Sequence, residues 1–156
     1  IKSMSLIHEK LYSNDQLSVI NMKDYIEELT SYLFTSYKPV HTVDKNIESD
    51  NVELDIDTAI PLGLILNELI SNSLKYAFKD ADGLLEGKLK EYEGELQLSV
   101  KDTGRGINVD FEKVKSMGLR LVNTLSKQLD AALDIKNEGG ASISLRFKPK
   151  KSTTLA

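Results

Sequence analysis

Apolar residues recur every three or four positions along four stretches of this chain, a spacing that predicts amphipathic helices. The first helix is predicted at residues 1–12. Its apolar side consists of Met4, Ile7 and Leu11. The second follows Asn21, a favourable N-cap residue, and reaches about Tyr37, because Pro39 stops it. Its apolar side consists of Ile26, Leu29, Leu33 and Phe34.

The third predicted helix has the widest apolar side and is therefore expected to be buried. Thr58 can cap it, Pro61 would lie in its first turn, and it ends near Asp80. Its apolar residues are Leu62, Ile65, Leu66, Leu69, Ile70 and Leu74. The fourth predicted helix spans residues 118–130. Its inward-facing residues are Leu119, Leu121, Val122, Leu125 and Leu129.

Strand-like alternation separates these helices. Residues 40–54 favour one or two strands, and residues 84–92 and 95–101 favour a hairpin around Glu93-Gly94. A last hairpin is predicted at residues 132–147, with its turn at Gly139-Gly140. Because the strands come mostly as hairpins, the pattern predicts an α/β fold. We expect a two-layer α/β sandwich, in which helices cover one face of a mixed, mostly antiparallel sheet.

Composition narrows the functional classes. The chain has 156 residues, 40% of them hydrophobic, and a formal net charge of -4, so we expect one globular domain and no nucleic-acid partner. It has no Cys and two His, which excludes thiolate metal sites and disfavours a histidine-rich one. The apolar runs are too short to span a membrane. Since the chain opens on Ile inside a predicted helix, we expect it to belong to a longer protein.

A polar stripe on the third helix is the first candidate site. Glu68 and Asn72 are four residues apart and face the same side, which Lys75 and Tyr76 extend by a turn. An Asn carbonyl can be one of the few protein ligands of Mg²⁺, which keeps waters and phosphate oxygens as its other ligands. The Glu could orient or deprotonate a nucleophile, and the Lys could contact a phosphate. The alternative is a solvated helix face without a function.

The sequence DTGRGI at residues 102–107 is the second candidate. Gly104 and Gly106 would let the backbone approach a ligand closely and donate N–H groups to it. The Asp102 carboxylate could accept a hydrogen bond from the exocyclic amine of adenine, whereas guanine presents a carbonyl there and would be rejected. Asp and Gly are also common turn residues, so the alternative is an ordinary turn.

The sequence SMGLRLV at residues 116–122 is the third candidate. Gly118 lies at a predicted helix start, where free N–H groups and the helix dipole favour a phosphate. Taken alone, it is more simply a capping glycine. His8 and His41 are expected to be surface or packing residues.

These three motifs, in this order, resemble the ATP-binding domain of sensor histidine kinases, within the GHKL group of ATPases and kinases. NELISNSLKYAF (67–78) is similar to the N box, DTGRGI to the first glycine box, and SMGLRLV to the second. SMSLIHEKLY is similar to the second helix of a dimerisation and phosphoacceptor hairpin. The resemblance implies the Bergerat/GHKL fold and three parts: a hairpin remnant (1–16), a catalytic domain (17–149) and a flexible tail (150–156).

The resemblance also implies roles for the stripe on the third helix. Asn72 would be the Mg²⁺ ligand, and Glu68 the base or orienting carboxylate. Lys75 would contact a phosphate, and Tyr76 would lie beside the nucleotide. The cofactors implied are therefore ATP and Mg²⁺.

The two glycine boxes would form the rest of the nucleotide site. The residues implied there are Asp102, Gly104, Gly106, Ile107, Gly118 and Leu119. Asp102 would bind the adenine amine, and the glycines after it would shape the adenine pocket. Residues 107–117 would form a lid, and the start of the fourth helix would lie near the phosphates.

The chain departs from the family pattern in three places. His8 does not match the phosphoacceptor position, which would lie on a helix before residue 1. The last glycine motif reads Gly140-Ala141 instead of Gly-Thr, so a hydroxyl that supports the adenine contact is missing. Only Phe111 is available for the aromatic lid motif of many histidine kinases. Because of the first departure, autophosphorylation by this chain alone is not expected. The other two departures are expected to affect only ATP affinity and lid closure.

The resemblance implies the catalytic domain of a two-component sensor histidine kinase, which passes the γ-phosphoryl group of ATP to a histidine of the same protein. The expected partners are ATP, the phosphoacceptor helix, a response regulator and a second copy in a full-length homodimer, with this domain in the cytoplasm. The alternatives are a GHKL ATPase of the gyrase or chaperone type, a serine kinase of the anti-sigma type, and a degenerate module that binds nucleotide without catalysis.

Overall fold

Strands and α-helices alternate along the part of the chain that the computed structural model describes, residues 19–39, 41–78, 81–103, 117–137 and 140–149. In chain order the elements are β1 (Val19–Asn21), α1 (Met22–Tyr37), β2 (Val43–Ser49), β3 (Glu53–Asp55), α2 (Ile56–Asn72), a π-helical turn (Ser73–Ala77), β4 (Gly83–Tyr92), β5 (Glu95–Asp102), α3 (Met117–Gln128), β6 (Ala132–Asn137) and β7 (Ala141–Phe147). The predicted helix at residues 1–12, the predicted lid motif with Phe111, and the tail at 150–156 lie outside the described residues.

The main sheet has five strands in the order β2-β4-β5-β7-β6. The β2 and β4 strands are parallel, and every other neighbouring pair is antiparallel. A separate two-stranded antiparallel sheet joins β1 to β3. This arrangement confirms the predicted α/β fold with a mixed, mostly antiparallel sheet. It also brings the end of β5 next to the start of β7, which is where the candidate site lies.

Alternation along the central strands separates a buried face from a polar face. In β5, Leu96, Leu98 and Val100 are buried, whereas Gln97 between them and Lys101 after them are exposed. The buried face packs against the helices, and α2 contributes Leu62, Ile65, Leu66, Leu69 and Ile70 to the same core. The apolar side predicted for the third helix is thereby confirmed. Burying such side chains stabilises the fold by roughly 1.5–3 kcal/mol each.

The α1 helix begins and ends where the sequence predicted. The Asn21 side chain accepts the Asp24 N–H at 3.1 Å, which is an N-cap bond. Lys38 follows the helix in a left-handed conformation, with a φ of 31°, just before Pro39. In the described part of the chain, no helix has both the length and the apolar character that crossing a membrane requires.

The start of α2 differs from the prediction. Asp55, not Thr58, is the N-cap: its side chain accepts the Thr58 N–H at 3.0 Å, and the helix begins at Ile56. Thr58 therefore lies inside the first turn, and Pro61 lies in the second turn, not in the first. Both Asp and Thr are good caps, and the residue that caps is the one at which β3 ends.

The contact between α1 and α2 is unusually close at Gly63. A Cβ atom at Gly63 would lie 2.9 Å from the Tyr25 ring, so a larger residue there would push the helices apart. Tyr25 is 2% exposed, and its hydroxyl has no hydrogen-bond partner among the described residues. Burial raises the pKa of Tyr25, because the interior disfavours the phenolate.

Candidate functional site

Asp102 is the last residue of β5 and is almost fully buried, with 2% of its surface exposed. A buried carboxylate destabilises a protein unless hydrogen bonds replace the water that it has lost. The Ser73 hydroxyl donates to Oδ2 at 3.0 Å, and the Ala141 N–H donates to Oδ1 at 3.1 Å. These two contacts hold the Asp102 carboxylate from both sides. An ionised carboxylate only accepts hydrogen bonds, so a ligand group that suits it is a donor.

Three elements meet at this carboxylate. Ser73 opens the π-helical turn at the end of α2, Asp102 ends β5, and Ala141 begins β7. The sequence alone points to Asp102 but not to Ser73, which lies 29 residues before it along the chain. The available signal is spacing: Ser73 follows Leu69 by four residues and Ile70 by three, on the apolar side of the predicted helix. Its partner could not be predicted without the fold.

Gly140 allows the β6–β7 turn to approach Asp102 very closely. It has a φ of 130°, and a Cβ atom there would overlap the Asp102 backbone oxygen. Any larger residue at this position would displace the start of β7 or the end of β5. The absence of a hydroxyl at Ala141 therefore does not leave Asp102 unsupported, because the backbone N–H of Ala141 contacts it directly.

Thr103, the residue after Asp102, is hydrogen-bonded to the start of β4. Thr103 Oγ1 accepts the Leu84 N–H at 2.9 Å, and the Thr103 N–H donates to the Leu84 oxygen at 3.1 Å. Gly83, beside Leu84, leaves room for this contact, since a Cβ there would lie 2.7 Å from Thr103 Oγ1. The predicted pocket residues that follow, Gly104, Gly106 and Ile107, lie outside the described residues.

The polar stripe on α2 is partly as predicted. Glu68 and Asn72 are half-buried one turn apart, while Lys75 and Tyr76 are exposed in the π-helical turn that follows. The π-helical turn has i→i+5 hydrogen bonds, so it changes the angular position of the residues after Asn72. Lys75 and Tyr76 consequently do not simply extend the α-helical face. Single π-turns of this kind occur frequently at functional sites.

Lys75 contacts an aromatic ring. Its Nζ atom lies 5.4 Å from the centroid of the Tyr37 ring, at the end of α1. Such a contact at an exposed position is worth only about 0.5–1 kcal/mol, so a phosphate could compete for the ammonium. The predicted phosphate contact of Lys75 stays a prediction.

The third motif lies at the start of α3, which begins at Met117. Leu119 is buried against the core, so its side chain has a packing role. The first four N–H groups of any α-helix lack partners within the helix, and those of Gly118 and Leu119 are among them. A phosphate contact by this turn could therefore involve backbone N–H groups but not the Leu119 side chain.

The donor set on α2 fits Mg²⁺ held by few protein ligands. In the ranges that the structure describes, no group of three or more His, Cys, Asp or Glu side chains could hold a metal ion. Asn72 supplies one oxygen, and Glu68 lies one turn away. This is the type of site in which Mg²⁺ keeps several waters and takes its remaining ligands from phosphates.

His41 has a local structural partner. Its Nδ1 atom lies 3.5 Å from Asp82 Oδ1, and the same Asp82 oxygen accepts the Thr42 N–H at 2.8 Å. Both contacts belong to the segment that leads into β2 and β4. This agrees with the expectation that His41 is a surface or packing residue. His8 lies outside the described residues.

Comparisons with known families give two matches that together span most of the chain. The family described as histidine kinase-, DNA gyrase B-, and HSP90-like ATPase matches residues 57–151. A second family, described as histidine kinase, matches residues 1–37. The first match includes all three motifs and Asp102.

Similar curated proteins include blue-light-activated histidine kinase 2 of Erythrobacter litoralis, which is 28% identical over an alignment of 153 positions that covers 92% of this chain and 43% of that protein. Sensor histidine kinase PdtaS of Mycolicibacterium smegmatis is 28% identical over 94% of this chain and 30% of its own length. The chain therefore spans less than half the length of these relatives.

A solved histidine kinase domain from the Erythrobacter litoralis blue-light-activated kinase has a similar fold. Its TM-score is 0.86 at 23% identity, covering 99% of this chain and 75% of the other. The Acinetobacter baumannii histidine kinase AdeS has a TM-score of 0.69 at 16% identity, covering 96% of this chain and 77% of the other. At these identities the likeness concerns the fold alone.

Proposed function

This chain belongs to the histidine kinase-, DNA gyrase B-, and HSP90-like ATPase family and contains its ATP-binding domain, and from this we propose that it is the catalytic domain of a two-component sensor histidine kinase. In this proposal it holds MgATP and passes the γ-phosphoryl group to a histidine on a helix of the same protein. One observation carries the proposal: a buried Asp102 that is held at both carboxylate oxygens and opens the sequence motif DTGRGI.

Asp102 is proposed to select adenine. Its carboxylate accepts hydrogen bonds from Ser73 and Ala141 and cannot donate one while it is ionised. The exocyclic amine of adenine is a donor and suits this group, whereas the carbonyl of guanine would place an acceptor against it. In a buried site such a mismatch can cost a factor on the order of 10⁴ in affinity. Gly104, Gly106 and Ile107 are proposed to line the same pocket.

The polar residues of α2 are proposed to act on the phosphates. Asn72 would be a ligand of Mg²⁺, and the ion would neutralise charge on the phosphate oxygens. Glu68 would orient the attacking histidine or accept its proton, and Lys75 would contact a phosphate after leaving the Tyr37 ring. Tyr76, which is 50% exposed, would lie beside the nucleotide. Backbone N–H groups at Gly118 and Leu119 would bind phosphate oxygens at the start of α3.

These groups suffice for phosphoryl transfer, which needs little covalent help from a protein. As the bond from the γ-phosphorus to the leaving oxygen of ADP breaks, a bond to a histidine nitrogen forms. Most of the rate enhancement in such reactions comes from positioning and from stabilising charge. The proposal extends to a response regulator as the next acceptor, a homodimer for the full-length protein, and a cytoplasmic location for this domain.

The test is to incubate the full-length protein with γ-labelled ATP and to determine the stability of any protein-bound label. Phosphohistidine is acid-labile and alkali-stable, so the proposal predicts a label that acid removes and alkali does not. Three other outcomes would overturn it. An acid-stable label would indicate a serine kinase, and release of free phosphate without labelled protein would indicate an ATPase. ATP that is bound but not consumed would indicate a degenerate module.

A further inference from the structure

We infer that Ser73 is a positioning residue, whose hydroxyl fixes the direction in which the Asp102 carboxylate presents its oxygens to the base. The inference rests on the proposed function, because it assumes that Asp102 contacts the nucleobase. The Ser73 hydroxyl would contact Asp102 and not the nucleotide.

The need for a positioning group follows from the flexibility of an Asp side chain. The terminal torsion of Asp is broad, so the backbone at the end of β5 does not by itself fix the plane of the carboxylate. Two donors from different elements remove that freedom. The Ala141 N–H holds Oδ1 from β7, and the Ser73 hydroxyl holds Oδ2 from the end of α2.

Burial makes the Ser73 bond effective. Ser73 is 8% exposed and Asp102 is 2% exposed, so bulk water competes little for either group. A hydrogen bond to an ionised acceptor is about twice as strong as one between neutral groups. If the hydroxyl were removed, one carboxylate oxygen would lose a donor at a place where water does not readily replace it.

Two other buried serines show that a buried hydroxyl does not necessarily form a hydrogen bond to another element of the fold. Ser71 is 4% exposed on the same helix, yet its hydroxyl has no hydrogen-bond partner within the described part of the chain. Ser126, also buried, donates to Val122 of its own helix at 2.7 Å. Ser73, in contrast, reaches a different element and the residue proposed to select adenine.

The contact also links the two halves of the proposed site. Asn72, the proposed Mg²⁺ ligand, and Ser73 are consecutive, so one peptide bond joins the phosphate side of the site to the group that holds Asp102. The Ser73 N–H donates to the Ile70 and Leu69 carbonyls, which anchors this peptide to α2. The position of Asp102 is therefore tied to the helix that carries the stripe.

The experiment compares two nucleotides that differ only in the group that Asp102 is proposed to bind. ATP and purine riboside triphosphate, which has hydrogen in place of the 6-amine, are titrated into wild type, Ser73→Ala and Ser71→Ala. We expect Ser73→Ala to weaken ATP binding roughly tenfold, as the loss of one bond to a charged group does, while purine riboside triphosphate binds nearly as before. Ser71→Ala should leave both affinities unchanged.

Each outcome is decisive. If Ser73→Ala leaves the ratio of the two affinities as in wild type, whether or not both become weaker, Ser73 has only a structural role and the inference is wrong. If the wild-type protein does not distinguish the two nucleotides, Asp102 does not bind the amine, and the adenine proposal fails before Ser73 is considered. Should Ser73→Ala not fold, Ser73→Cys keeps the branching of the side chain and fills the site with a weak donor, so it is expected to lose the same discrimination.

Discussion

Asp102 can be changed to a residue of the same shape that reverses its hydrogen-bonding character. In Asp102→Asn, the amide oxygen can still accept the Ala141 N–H, and the amide nitrogen can donate to the Ser73 hydroxyl, which is able to accept. The fold should therefore survive. The adenine amine, however, would meet either the amide NH₂, which is a donor, or a neutral amide oxygen in place of a charged carboxylate oxygen, which is a weaker acceptor.

We consequently expect Asp102→Asn to weaken ATP binding by about 10- to 100-fold, while the midpoint of thermal unfolding changes by only a few degrees. Calorimetric titration and thermal unfolding of the same preparation measure both. An ATP affinity equal to that of wild type would show that Asp102 does not bind the base.

Asn72 is expected to matter only when Mg²⁺ is present. Asn72→Ala removes the proposed ligand oxygen, so ATP affinity should no longer increase when Mg²⁺ is added. The matched control is Asn67→Ala, on the same helix but turned away from Asn72 by about 140°. Titrations of ATP with and without Mg²⁺ measure the difference. If Asn72→Ala responds to Mg²⁺ as wild type does, another group binds the ion.

At the scale of elements, the close approach of β7 to β5 depends on Gly140. A Cβ there would overlap the Asp102 backbone oxygen, and its φ of 130° is unfavourable for any other residue. Gly140→Ala should therefore lower the free energy of unfolding by more than about 1 kcal/mol and also weaken ATP binding.

The matched control is Gly94→Ala in the β4–β5 turn. Gly94 also has a positive φ, of 82°, but no atom lies within 4 Å of a Cβ placed there. It should therefore show only the backbone effect and leave ATP affinity unchanged. Equal losses of stability in the two variants, measured by urea unfolding, would argue against a steric role for Gly140.

The α1–α2 contact contains a buried hydroxyl whose removal should be tolerated. Tyr25→Phe deletes an oxygen that has no hydrogen-bond partner among the described residues, so stability near neutral pH should be unchanged or slightly higher. Urea unfolding of both proteins measures this. A loss of more than about 1 kcal/mol would indicate that the hydroxyl has a partner.

The same variant should change the response to alkali. Burial raises the folded-state pKa of Tyr25 above its ordinary value of about 10, so the neutral form is the one that favours folding. The contribution of neutral Tyr25 to the free energy of unfolding is complete below about pH 10 and is lost as the pH rises above that value. Wild type should therefore lose more stability than Tyr25→Phe above about pH 10, with exposed Tyr92→Phe as the control. Parallel curves would contradict this.

Local sequence signals predict the helices and strands better than they predict which strands pair with each other. The Glu93-Gly94 turn and the apolar stripe of α2 are encoded within a few residues, and both are found where expected. The cap of α2 was placed at Thr58 because Asp55 ends a strand that the sequence did not delimit. The parallel pairing of β2 with β4 and the position of β7 between β5 and β6 depend on contacts far apart in the chain.

For the whole molecule, the resemblance read from three motifs is confirmed by the family match and by the fold. Asp102 could be predicted because it opens a recognisable glycine motif. Ser73 and the Ala141 N–H could not, since their role appears only when the end of α2, β5 and β7 come together. The role of every site residue stays a prediction, as does the division of the chain at residues 16 and 149. This holds for Asp102 and the glycine-box residues Gly104, Gly106, Ile107, Gly118 and Leu119 as well as for Glu68, Asn72, Lys75 and Tyr76.

The central claim is that this chain binds MgATP and selects it by its base. The most direct test is calorimetric titration of the chain with ATP and with GTP, each with and without Mg²⁺. We expect binding of ATP that Mg²⁺ strengthens, and no measurable binding of GTP at the same concentrations. Equal affinity for the two nucleotides, or no binding of ATP, would contradict the account.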